Sequence, residues 1–187
     1  KILRADPAGN ITLFVLTPVE KEKRAAVAAA LMHALPEMKI EQVGFACVPE
    51  RDADGHMEMM GGEFCGNATR AYGMYLARQC GGRAAVRLRV SGCDHIVTVR
   101  TDILRGTASA EMPLPHSVCP VRMDGTDGTM VDLGGIVHLV ITDTVPDEKW
   151  MKAAESVLRD GKTIDACGVI FLDQAEHRMT PLVKVIE

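Results

Sequence analysis

Gly9-Asn10-Ile11-Thr12-Leu13-Phe14-Val15-Leu16-Thr17 and Gly134-Gly135-Ile136-Val137-His138-Leu139-Val140-Ile141-Thr142 carry one pattern twice, 125 positions apart. Each is an apolar, β-branched run of the kind that forms a buried strand, and each is followed by helical patterning. Behind the first, the stretch from Glu20 to Ala34 is rich in alanine and charge and ends before Pro36. Behind the second, Asp147 stands as an N-cap, Trp150, Ala154, Val157 and Leu158 share a face, and Gly161 supplies the stop. The likeness continues, because the run from Ile40 to Val48 matches that from Ile164 to Leu172 at a spacing of 124. A strand–helix–strand unit that recurs in the same order predicts two homologous α/β domains. Pro113, Pro115, Pro120, Gly125 and Gly128 mark the boundary region, and the domains are placed at 1–118 and 119–187.

After Val48 the first copy runs through a polar loop, Glu50 to His56, and reaches Gly62-Glu63-Phe64-Cys65-Gly66-Asn67-Ala68-Thr69-Arg70. A helix follows, with Ala68, Ala71, Tyr72, Tyr75 and Leu76 on one face and a stop at Gly81-Gly82. Cys65 thus precedes the first turn of a helix. There the unpaired N–H groups and the positive end of the helix dipole favour thiolate over thiol, and the same groups can hold a substrate carboxylate. A free cysteine beside helix-facing apolar residues also fits a small buried hydrophobe, so spacing alone leaves two readings open. The second copy passes through a polar loop, Asp173 to Arg178, into the apolar run from Pro181 to Ile186. Its counterpart of Cys65 falls at about position 189, past Glu187. The second domain is therefore expected to be incomplete, lacking its active-site helix, and the start at Lys1 without Met suggests trimming at the front.

Composition excludes several classes of function. The 187 residues are 47% hydrophobic and 25% charged, enough for one or two soluble globular domains with a real core. A net charge of −4, with 21 Lys and Arg spread along the chain, argues against nucleic acid as a partner. No apolar stretch of about 18 residues is long enough to span a bilayer, and no secretion signal opens the chain, so a cytoplasmic location without membrane attachment is expected. The six cysteines, at 47, 65, 80, 93, 119 and 167, contain no CxxC pair, and the six histidines no HxxxH pair. On that spacing we expect reduced thiols and no metal site.

The pieces Ala8-Gly9-Asn10-Ile11-Thr12-Leu13-Phe14 and Glu63-Phe64-Cys65-Gly66-Asn67-Ala68-Thr69-Arg70-Ala71 resemble the diaminopimelate epimerase superfamily of cofactor-independent amino-acid racemases and epimerases. The wording GGEFCGNATRA is closer to the branch of histidine racemases from metallophore pathways than to diaminopimelate epimerase, whose motif has a second glycine after the asparagine. The resemblance implies a mixed α/β (α+β) fold of two pseudo-symmetric domains. Each would be a curled, mainly antiparallel sheet around a central helix, with one cysteine per domain facing a shared cleft. It implies Cys65 as one of two acid/base thiols, with Gly66 and Asn67 offering N–H groups and the Asn67 amide to the substrate α-carboxylate. Asn10 matches a substrate-contacting asparagine and, as a residue after Gly9, also fits a plain turn. His138 matches a histidine near the reacting centre and also fits a hydrogen-bonded core histidine. The asparagine of the family's GNPH-like motif is Ile136 here, which argues against diaminopimelate and for another amino acid.

The implied chemistry explains such an arrangement. Removing the α-proton of an amino acid requires stabilisation of charge developing on its carboxylate, which converging helix N-termini supply. Inversion needs a base on one face of the α-carbon and an acid on the other, shielded from water. The leading expectation is a pyridoxal-independent racemase or epimerase acting on a small amino acid, by motif wording histidine, with no cofactor. The second thiol would lie beyond residue 187, so this chain alone should be inactive. The alternatives are an isomerase of the phenazine-biosynthesis or aconitate-isomerase type, against which the Cys65-Gly66-Asn67 triplet speaks, and a non-catalytic amino-acid-binding protein on the same fold. A homodimer covering the apolar face of an incomplete domain is left open.

Overall fold

The computed structural model describes residues 1–49, 52–123, 125–133, 136–158 and 166–185. Two compact units result, Lys1–Met112 and Pro113–Glu187. Gly134, Gly135, Gly161 and Ile186, which the sequence reading uses as strand starts, a helix stop and a strand end, lie outside the described residues.

The first unit is a seven-stranded sheet whose strands follow in sequence order: β1 (Ile2–Ala5), β2 (Thr12–Val15), β3 (Gln42–Cys47), β4 (Gly55–Met59), β5 (Ala85–Val90), β6 (Val97–Asp102) and β7 (Thr107–Ala110). Neighbours pair antiparallel except β2 with β3 and β4 with β5, which are parallel. Parallel neighbours require a crossover, and each crossover is a helix: α1 (Arg24–Ala34) and α2 (Gly66–Gln79). A 3-10 turn, Lys21–Lys23, precedes α1, and the helix stops at Leu35, where Pro36 cannot continue it.

All four residues of β2 are buried, because the strand is covered on both sides. Leu13, Val15, Val43 and Phe45 pack on the α1 side with Ala28, whereas Phe14, Met57, Val86, Leu88, Val97 and Val99 pack with Ala68 and Tyr72 of α2. The sheet curls around α2. Residues 3–5 of β1 and residues 107–108 of β7, at its two ends, line one cavity of about 670 Å3 together with Arg70, Ala71, Met74 and Tyr75 of the helix. Strand β4 corrects the reading of residues 50–56 as loop throughout. From Gly55 on, alternate residues Gly55, Met57 and Met59 are buried while His56 and Glu58 are half-buried on the other face.

The second unit is a five-stranded sheet in the order β12-β11-β10-β9-β8, built from β8 (Ser117–Met123), β9 (Thr126–Asp132), β10 (Ile136–Thr142), β11 (Ala166–Asp173) and β12 (Arg178–Val185). Only β10 and β11 are parallel, joined through α3 (Lys149–Leu158). Asp147 caps α3 as expected, its carboxylate accepting the Lys149 N–H at 2.9 Å. Trp150 and Ala154 pack on Val137, Leu139, Ile141, Cys167, Val169 and Phe171. Among the described residues, no helix of either unit is long and apolar enough to cross a membrane.

The β2–α1–β3 and β10–α3–β11 crossovers are the repeat foreseen in the sequence, with its first spacing changed by one residue. In the sheets Phe14 lies opposite Gly44 and His138 opposite Gly168, so strands and partners alike correspond at a spacing of 124. A strand has a period of two, and a one-residue slip exchanges its faces. His138 therefore corresponds to Phe14, on the side away from α3, and not to Leu13. Both rings lie over a glycine because a side chain would not fit: a Cβ at Gly44 would stand 2.9 Å from Phe14 Cδ1, and one at Gly168 2.6 Å from His138 Nδ1.

Helix α2 lies close on the sheet at Gly73, where an added Cβ would meet Val99 Cγ1 at 2.6 Å. Overpacking of roughly 1–3 kcal/mol exceeds the helix-propensity gain of about 1 kcal/mol for glycine to alanine. Gly73→Ala is thus expected to lower stability in urea unfolding, and combining it with Val99→Ala should cost less than the sum of the single changes.

In the second unit, His138 Nδ1 is buried with no hydrogen-bond partner among the described residues, and burial lowers the ring's pKa. The unfolded chain then takes up this proton first as pH falls. The contribution of the neutral ring is complete above about pH 6.5 and is lost as pH drops from there through the lowered folded-state value. His138→Phe is expected to flatten the decline of thermal stability below about pH 6.5; an unchanged slope would show that burial of this ring carries no linkage.

Candidate active site

Helix α2 starts at Gly66 because Cys65 holds extended backbone angles, φ −128° and ψ 109°, and acts as its N-cap. The Cys65 sulfur accepts the Ala68 N–H at 3.4 Å, and the Cys65 carbonyl accepts the Thr69 hydroxyl at 2.8 Å. These bonds leave the N–H groups of Gly66 and Asn67, the first two of the helix, pointing out of its N-terminus. Cys65 itself is half-buried, packed against the rim of the α2 core and not enclosed by it.

A second donor reaches the sulfur from the sheet. Gln42, the first residue of β3, places Nε2 3.2 Å from Cys65 Sγ, 2.8 Å from Asn10 Oδ1 and 2.8 Å from the hydroxyl of the fully buried Thr12. Helix N-terminus, Ala68 N–H and Gln42 amide all present positive charge to one sulfur, a setting that accommodates negative charge there.

Asn10 is the hub of the surrounding polar groups. Its Oδ1 accepts from Gln42 and, at 3.2 Å, from Asn67 Nδ2, while its own Nδ2 donates to Glu41 at 2.7 Å. The far side of Asn67 is held by Arg70, whose guanidinium donates to Oδ1 at 2.5 Å. Arg70 thus holds the oxygen of the Asn67 amide and Asn10 takes one of its two Nδ2 hydrogens, so the second Nδ2 hydrogen and the backbone N–H remain for a carboxylate. Among the described residues, Glu41 is the carboxylate attached to this network.

The loop before Cys65 is braced by the turn between β5 and β6. Ser91 Oγ donates to the Glu63 carbonyl at 2.7 Å and accepts the Met59 N–H at 2.8 Å. Gly92, at φ +67°, lies so close that an added Cβ would meet the Phe64 nitrogen at 2.2 Å. Only glycine fits that turn, and the turn fixes the approach to Cys65.

Four of the five residues singled out in the sequence, Asn10, Cys65, Gly66 and Asn67, therefore adjoin one another in the first unit. His138 stands on β10 of the second. Gln42 was not foreseen: a single glutamine opening an apolar strand carries no sequence signal, and its reach to Cys65 depends on the β2–β3 pairing. Two groups of metal-ligating side chains, Cys47, His56, Glu58 and Cys93, Asp94, His95, also occur among the described residues, and neither contains a residue of this site.

The chain is similar to several known proteins. A histidine racemase of Fusobacterium nucleatum subsp. nucleatum is 27% identical over 99% of this chain and 71% of its own length. A histidine racemase of Staphylococcus aureus is 27% identical over 97% of this chain and 70% of its own. Two solved structures share the fold: a predicted epimerase of Pseudomonas aeruginosa, with a TM-score of 0.53 and 13% identity over 88% of this chain, and a methylitaconate-delta-isomerase, with a TM-score of 0.53 and 10% identity over 98%. The chain spans 64% of the Pseudomonas structure and 74% of the isomerase. The family model for the histidine racemase CntK N-terminal domain matches residues 1–187, and the chain belongs to that family.

Proposed function

We propose that the whole protein interconverts the enantiomers of an amino acid, histidine being the first candidate, by proton transfer at the α-carbon without pyridoxal phosphate. Cys65 is one of two acid/base thiols, and its opposite number lies outside these 187 residues. The observation that carries this reading is the first turn of α2, where a sulfur held by two N–H donors adjoins two free backbone N–H groups.

The parts divide the work as follows. The N–H groups of Gly66 and Asn67 hold the α-carboxylate and take up part of the charge that develops as the C–H bond breaks. Cys65 removes the α-proton in one direction and returns one in the other, while the second thiol does the converse on the opposite face. Gln42 keeps the sulfur aimed, and Asn10 keeps Gln42 and Asn67 aligned. A substrate with a basic side chain finds a counterpart in Glu41, carried by the same asparagine. The names of the 27% identical relatives support histidine for that role.

Incubating the full-length protein with L-histidine in deuterated water is expected to give Cα deuteration and D-histidine on a chiral column. Cys65→Ser should lower the rate by at least about 10²-fold, the lower end of what a positioned acid/base group contributes. Absence of Cys65-dependent exchange for every amino acid tried would refute the proposal. Gln42→Leu removes one hydrogen bond to a sulfur that carries charge during the reaction, a loss of about 1.5–3 kcal/mol, and is expected to cut kcat/KM by roughly 10- to 100-fold while the protein stays folded. The 187 residues alone should not racemise, for want of the second thiol.

A further inference from the structure

The α1 face of the first sheet carries a group of side chains that the site above does not use. Cys47 of β3 lies directly opposite His56 of β4, and Glu58 follows two residues on along the same face. Their ligand atoms, a sulfur, a ring nitrogen and a carboxylate oxygen, all lie within 4.8 Å of one another, and all three residues are half-buried. Arg24, the first residue of α1, sits among them. Its guanidinium forms a close ion pair with Glu58, donates to Cys47 Sγ at 3.3 Å and lies 5.8 Å over the Phe45 ring. His56 Nε2 is 3.3 Å from the other oxygen of Glu58.

We propose that Cys47, His56 and Glu58 form a binding site for a borderline divalent cation such as Zn2+, which Arg24 occupies as a built-in counter-cation when the metal is absent. Sulfur, imidazole and carboxylate together select zinc-like ions over magnesium or calcium, which prefer oxygen alone. Bond lengths of about 2.0–2.3 Å place the ligand atoms of a tetrahedral zinc roughly 3.3–3.7 Å apart; His56 Nε2 and Glu58 already stand at 3.3 Å, and no pair of the three is separated by more than 4.8 Å. Their backbones, paired in one antiparallel ladder, already hold the directions. Three protein ligands leave a fourth position for water or a small anion. Arg24 Nε also donates to the Val19 carbonyl at 3.1 Å, a bond that depends on neither Glu58 nor Cys47. The spacing 47, 56, 58 matches no linear metal motif, because the ligands meet across a strand pair. The second group, Cys93-Asp94-His95, is a weaker candidate: three consecutive residues, two of them exposed.

An alternative account of the same side chains is a plain ion-pair latch between α1 and the sheet. The two accounts differ in what loss of Arg24 does: a latch weakens, whereas a metal site is relieved of a competing positive charge.

The test is a Co2+ titration of the reduced full-length protein carrying Cys65→Ser and Cys93→Ser, which remove the active-site thiol of the first unit and the thiol of the other cluster. One equivalent should bind with a near-ultraviolet thiolate-to-cobalt absorption band, and excess Zn2+ should displace it. Cys47→Ala should abolish the band while far-ultraviolet circular dichroism stays unchanged. His56→Gln, which keeps the thiolate, should weaken binding by more than the roughly 10- to 100-fold typical of an outer-shell partner. Arg24→Gln should tighten it about tenfold or more, the effect of removing a positive charge a few ångströms away. No band, a band that survives Cys47→Ala, or an affinity unmoved by both His56→Gln and Arg24→Gln would overturn the proposal. Should Cys47→Ala fail to fold, the His56→Gln and Arg24→Gln titrations decide.

Discussion

The first turn of α2 cannot move independently of β3, because Gln42 reaches from the strand to the sulfur that caps the helix. A thiol is a weak N-cap acceptor by itself. Here it is held from two sides, and the donors that hold it belong to elements that are themselves fixed. Gln42 opens a strand buried between α1 and α2 layers, and Ala68 is fully buried in the α2 core. Gly73 then lets the helix lie directly on Val99. Precision at a sulfur exposed enough to react is thus borrowed from residues that are not exposed at all.

The two crossovers are alike in backbone and unlike in chemistry. At the spacing of 124 set by the sheets, Thr12 and Gln42 correspond to Ile136 and Ala166. Gln42, which donates to the sulfur in the first unit, and Thr12, which accepts from Gln42, are both replaced by apolar residues in the second, and the ring packed over glycine changes from Phe14 to His138. The two crossovers share what shapes the sheet, namely glycine beneath a ring and a helix over alternate apolar residues, and differ in the polar groups they carry.

What was legible in the sequence follows the same division. Strands β2, β3, β10 and β11 are continuous apolar runs, α1 ends against Pro36, and Asp147 announces α3, so periodicity and end signals sufficed. Strand β4 was hidden because its buried positions are a glycine and two methionines separated by His56 and Glu58, within a polar stretch. The one-residue error in the repeat came from matching Gly9 to Gly134, whereas the sheet is organised by which side chain faces which glycine. Of the site, the local part could be read: Cys65, Gly66 and Asn67 share a helix turn. Gln42 and the Cys47–His56–Glu58 group could not, since each exists only through pairing between strands.

The amides around Asn10 also bear on affinity. Asn10, Gln42 and Asn67 satisfy one another before any ligand arrives, with Glu41 and Arg70 at the two ends of the chain of bonds. Their rotamer entropy is consequently surrendered during folding and not at the moment of encounter. A ligand meets a rigid rim and need break none of these contacts to reach the open backbone N–H groups. Pre-organisation of this kind makes discrimination a matter of shape and charge at a fixed edge, and it lets a small, fully solvated zwitterion bind without an ordering penalty from the protein.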